Sequence, residues 1–98
     1  MPKYVFTYRS PTGYTPGAAD ATAAWQDWFQ SMGASVENIG NPVFERTAVG
    51  TTGSGTELGG FSFIKANDLD AATALAGGCP MLRSGGGVEI GTLAELPS

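Results

Sequence analysis

Six patterned segments, in the order strand, helix, strand, strand, helix, strand, constrain this 98-residue chain more than any single motif. Lys3–Arg9 (KYVFTYR) is aromatic and β-branched, the composition of a strand. Ser10-Pro11-Thr12-Gly13 signals a turn. Ala21, Trp25, Trp28 and Met32 then recur at spacings of 4, 3 and 4, the apolar stripe of a helix. Thr15 before Pro16 fits an N-cap followed by a first-turn proline, with Asp20 as a later alternative. Gly33 stands where a left-handed residue closes a helix. Val36–Val49 predicts a second strand, interrupted at Gly40-Asn41-Pro42. Pro42 cannot donate a ladder hydrogen bond, which sends this strand to a sheet edge or to a bulge. Gly50–Gly60 (GTTGSGTELGG) reads as a flexible connection, and Phe61–Ala66 as the third strand. Asn67 or Asp68 caps a second helix with Leu69, Ala72, Leu75 and Ala76 on its apolar face. Gly77-Gly78 ends it, Pro80 bars its continuation, and Gly87–Leu93 is the fourth strand.

Right-handed crossovers turn this order into an α+β, ferredoxin-like βαββαβ fold: a four-stranded antiparallel sheet with two helices on one face. One domain is expected over residues 1–98, with its core at about 3–93. Alternation puts Tyr4, Phe6 and Tyr8 on one face of the first strand, and Phe61 and Phe63 on one face of the third. The expectation is that the smaller faces meet the alanine-rich helices and the aromatic faces stay open. An open aromatic face needs cover. The expected cover is a second copy of the chain, sheet against sheet in a dimeric α/β barrel, with Tyr4, Phe6, Phe61 and Phe63 at the interface.

Charge and composition remove several function classes. Five basic against nine acidic residues give a formal net charge of −4, which disfavours nucleic acid and anionic membrane as partners. Gly60-Phe61-Ser62-Phe63-Ile64 resembles the core of an RNP1 motif, yet Gly59 replaces its basic residue and Ala66 its closing aromatic. No apolar run approaches the roughly 20 residues that span a bilayer, and Met1-Pro2-Lys3 leads into a strand without a signal-peptide pattern. One cysteine and no histidine argue against disulfides, transition-metal sites and histidine-activated nucleophiles. A cytoplasmic protein without metal or cofactor is expected. Cys79 reads as a small buried residue, and Asp68 and Asp70 as helix-start residues rather than paired catalytic carboxylates. The glycines of Gly50–Gly60 match no phosphate-binding motif, although a loop of that length is able to fold over a ligand.

Four segments, KYVFTYR, WQDWFQSMGASVENIGNPV, GGFSFIKANDLDAATALAGGCP and GGGVEIGTL, resemble in order and spacing the YCII-related domain family, including its DGPF-type relatives. The resemblance runs from Lys3 to about Leu93 and implies a ferredoxin-like fold that dimerises as an α/β barrel. The Asp-Gly-Pro-Phe signature is missing, its region being occupied by Gly50–Gly60. The His–Asp pair proposed as catalytic in some members has no counterpart here, and Met81 follows the Cys-Pro pair where several relatives carry histidine.

The expected site is a cleft between the first helix and the sheet, holding a small apolar or aromatic molecule. Trp25 and Trp28 would line it, with Tyr8, Arg9 and Asn41 as polar groups at its mouth and Arg83 as an anchor for an anionic ligand group. Two other readings stay open: a cofactor-free enzyme of the isomerase or monooxygenase type, and a homodimerisation module without ligand.

Overall fold

The computed structural model describes residues 1–14 and 19–96. Its elements are β1 (Lys3–Pro11), α1 (Ala19–Met32), β2 (Val36–Pro42), β3 (Thr56–Lys65), α2 (Leu69–Ala76) and β4 (Gly87–Thr92), with short 3-10 turns at Gly33–Ser35 and Pro80–Ser84. The strands form one antiparallel sheet in the order β2-β3-β1-β4. This is the ferredoxin-like arrangement, with both helices on the same face of the sheet. Local signals act as the sequence suggests at several ends. Gly33 takes φ +56 directly after α1, a left-handed conformation that glycine adopts without a Cβ penalty. Asp68 caps α2 by accepting from the backbone N–H of Ala71 at 2.8 Å. The Thr15-Pro16 cap lies outside the described residues, and Asp20 falls inside α1 rather than before it.

β2 is an edge strand, as Pro42 requires, but it ends there instead of resuming to Val49. Its ladder with β3 is irregular between Val36 and Asn38 and again between Asn38 and Asn41. Gly40 sits at the second irregularity with φ +73, so close to β3 that a Cβ would collide with the Phe61 carbonyl oxygen. β3 begins at Thr56, inside the stretch expected to be a loop. The reason is pairing: Thr56, Glu57 and Leu58 lie opposite Pro11, Ser10 and Arg9 of an equally extended β1. The Arg9 guanidinium also donates to the Thr56 hydroxyl at 3.2 Å and carbonyl at 2.9 Å. Gly59 is the extra residue of a bulge opposite the Tyr8–Arg9 step.

The register corrects the expected faces. Tyr4 pairs with Ile64, Phe6 with Ser62 and Tyr8 with Gly60, and these residues lie under the helices. Val5 pairs with Phe63 and Thr7 with Phe61, and these face away from the helices. Tyr4 and Phe6 are therefore core residues, not interface residues: Tyr4 is 3% exposed and Phe6 0%. Alternation fixes which residues share a face within a strand, but only pairing aligns one strand with the next. The rings are drawn inward because α1 presents aromatics of its own. Phe6 stacks on Trp28 with ring centroids 6.2 Å apart, and Tyr8 meets Trp25 edge-to-face at 4.8 Å. Ala72 and Ala76 of α2 fill the narrower space beside them. Burying a ring such as that of Phe6 stabilises the fold by about 1.5–3 kcal/mol. Leu69, expected on the buried side of α2, is exposed.

Candidate functional site

A cleft of about 400 Å³ opens on the helix side, between α1 and the β2–β3 edge of the sheet. Its position follows from three features of the sequence. The rings of Trp25 and Phe29 on α1 pack against each other and form the helix-side wall. The glycines Gly59 and Gly60 of β3 leave the sheet surface bare beneath them. The irregular edge of β2 and the residues after it, Ile39 to Phe44, form the far wall.

Tyr8 lies at the floor. It is 4% exposed, its hydroxyl donates to Ser62 Oγ at 2.8 Å, and Ser62 donates in turn to the Ile39 carbonyl at 2.6 Å. This relay ties β1, β3 and β2 together under the cleft. Burial raises the pKa of the Tyr8 phenol far above its ordinary 10.0, so the group is a neutral donor already engaged in structure. Ser10 continues the same face of β1 and also lines the cleft. Arg46 closes the rim. Its guanidinium donates to the carbonyls of Leu58 at 2.6 Å and Val43 at 3.2 Å, and pairs with Glu57 at 3.4 Å. These bonds pin the segment carrying Phe44, a residue 68% exposed at the mouth.

Of the residues expected to bind ligand, the cleft brings together Tyr8, Trp25 and Asn41. Trp28 lies deeper, in the core, with its indole N–H given to the Leu75 carbonyl at 3.1 Å. Arg9 is on the opposite face of the sheet, bound to Thr56, because it is one step out of phase with Tyr8 and Ser10. Arg83 is exposed in the 3-10 turn and lines no part of the cleft. Ser10, Phe44 and Arg46 were not singled out by sequence reasoning. Ser10 sat in a predicted turn, and no local pattern announces that a chain will fold back at Val43 and bring Arg46 to Leu58.

Cys79 is 2% exposed and outside the cleft, and burial pushes its thiol up to about 11. Among the described residues, no group of three or more His, Cys, Asp or Glu side chains converges on a point where a metal would bind. No helix among them is long and apolar enough to cross a membrane.

Fold and cleft define an α+β protein of the ferredoxin-like class with an aromatic hollow between its first helix and one sheet edge. In fold it is similar to 5-chloro-2-hydroxyhydroquinone dehydrochlorinase from Burkholderia phenoliruptrix AC1100, a structure solved in complex with 2,5-dihydroxybenzoquinone. The two are 18% identical, the match covers 93% of each chain, and the TM-score is 0.58. Identity at this level establishes the shared fold and nothing finer. Neither the models of known families nor the curated proteins gave a match.

Proposed function

We propose that this chain is a YCII-related protein that binds a small, planar, mainly apolar molecule in the cleft between α1 and the β2–β3 edge. The observation that carries this reading is the cleft itself, about 400 Å³ walled by Trp25, Phe29 and Phe44, with few polar groups at its floor and rim. Its size suits one small aromatic ligand, and aromatic walls with a few polar groups are the usual composition of such sites. The solved structure of similar fold holds a quinone of that size class, which supports the choice of ligand.

The test is a titration with 2,5-dihydroxybenzoquinone, 1,4-naphthoquinone and 2-naphthol, followed by tryptophan fluorescence and thermal shift. At least one should quench saturably and raise the melting temperature. Thr22→Trp, which places a ring in the cleft from the exposed side of α1, should abolish both effects. Failure of all three compounds at millimolar concentration refutes the proposal.

The reading includes a homodimer. Phe61 and Phe63 lie 5.7 Å apart, centroid to centroid, on the sheet face that no helix covers, beside Val5 and Thr7. Gly91 of β4 adds no side chain next to Val5, leaving this face low enough to receive a second sheet. Lys3 and Lys65 flank it and share Glu37 at 3.2 and 3.5 Å. A single copy leaves these rings half-buried, and a second copy would exclude the remaining water.

A further inference from the structure

We propose that the Ser10 hydroxyl is the recognition group of the cleft, hydrogen-bonding a hydroxyl or carbonyl oxygen on the ligand's ring. The inference rests on the cleft being a ligand site and adds to it the ligand's defining substituent. It makes Ser10 a specificity-determining residue that selects oxygenated rings over alkyl analogues of the same shape.

The argument begins with what the other polar groups are doing. The Tyr8 hydroxyl is given to Ser62, and the Ser62 hydroxyl to Ile39. Arg46 is given to Val43, Leu58 and Glu57. Ser10 differs. It is 5% exposed and lines the cleft, yet its hydroxyl makes no hydrogen bond among the described residues. Its oxygen is not sealed from solvent, since no buried side-chain polar atom among the described residues lacks a partner; Ser10 lines the cleft, where a ligand oxygen can replace water on the hydroxyl. As both donor and acceptor, it pairs equally with a phenol or a quinone carbonyl.

The sheet is also shaped around this hydroxyl. Gly59, the bulge residue opposite, occupies a place where a side chain would collide with Ser10 Oγ. Its backbone φ lies outside the left-handed region, so conformation does not demand glycine there. Space for the Ser10 hydroxyl does. A site that offers a buried hydrogen-bonding group rejects ligands that leave it unpaired, whereas an apolar wall discriminates weakly.

The experiment compares 2-naphthol with 2-methylnaphthalene, which swaps the oxygen for a methyl group of similar size. Both are titrated by fluorescence into the wild type, Ser10→Ala and Gly59→Ala, each checked for native circular dichroism. The readout is the ratio of the two Kd values. Wild type should favour 2-naphthol about tenfold relative to the ratio shown by Ser10→Ala, and Ser10→Ala should still bind 2-methylnaphthalene. Gly59→Ala keeps every polar atom but displaces the hydroxyl, and should lose the preference in the same way. If Ser10→Ala does not fold, Gly59→Ala decides alone. Equal ratios in wild type and variant overturn the Ser10 assignment while leaving the cleft reading intact. Binding of neither compound by the wild type overturns both.

Discussion

Removing the Ser62 hydroxyl tests the packing beneath the cleft. Ser62 is 0% exposed, accepts from Tyr8 at 2.8 Å and donates to Ile39 at 2.6 Å. Ser62→Ala leaves the Tyr8 hydroxyl without its acceptor in a site where the ring is 4% exposed. An unsatisfied buried hydroxyl costs about 1–3 kcal/mol. The Ile39 carbonyl adds less, because β2 is an edge strand and water reaches it. The expected loss is about 2 kcal/mol, which in a domain of this size lowers Tm by about 8–16 °C. Tyr8→Phe removes the orphaned group itself, so the double variant should be less destabilised than the sum of the singles by about 1 kcal/mol. Urea denaturation followed by circular dichroism measures all four proteins, at several concentrations because association would raise apparent stability. A Ser62→Ala loss under about 0.5 kcal/mol, or strictly additive singles, would refute the relay.

Gly40→Ala should destabilise by more than about 2 kcal/mol in the same assay, since it combines a left-handed backbone with a collision against the Phe61 carbonyl oxygen. A neutral result would mean that β2 does not approach β3 as described. Phe63→Asp, on the open sheet face, should yield a folded monomer near 10.0 kDa by light scattering, and the proposed homodimer predicts twice that mass for the wild type. A wild-type monomer at high micromolar concentration removes the homodimer from the proposal. For Cys79, burial raises the folded thiol from 9.0 to about 11. Its contribution is then complete below pH 9 and lost as pH rises toward 11, on the order of 2 kcal/mol. Cys79→Ala should flatten this part of the stability–pH curve, and wild-type thiol should react with a disulfide reagent only on unfolding; rapid reaction of the native protein contradicts the burial.

Residues with short-range jobs were legible in the sequence. Gly33 closes α1, Asp68 caps α2 and Pro42 sits on an edge strand, each for a reason contained within a few neighbouring positions. Cys79 is buried as expected, and loss of hydration is what raises its thiol. A cleft between the first helix and the sheet is what the likeness to dimeric α/β barrels implies, and Tyr8, Trp25 and Asn41 line the cleft at that place. Arg9 and Arg83 do not, because a charge at a plausible distance along the chain carries no information about which face it will occupy.

By itself, then, the sequence determined the six elements, their order, and through the right-handedness of crossovers the ferredoxin-like sheet. Tertiary structure decided which aromatic residues went inside. Tyr4 and Phe6 could have shared a face with Phe61 and Phe63, but pairing set them opposite Ile64 and Ser62. The physical reason is the period of two: a shift of one residue in register exchanges the faces of an entire strand at no local cost. Only the competition to cover Trp25 and Trp28 chooses between the alternatives. The same competition leaves Ser10 beside an open cleft.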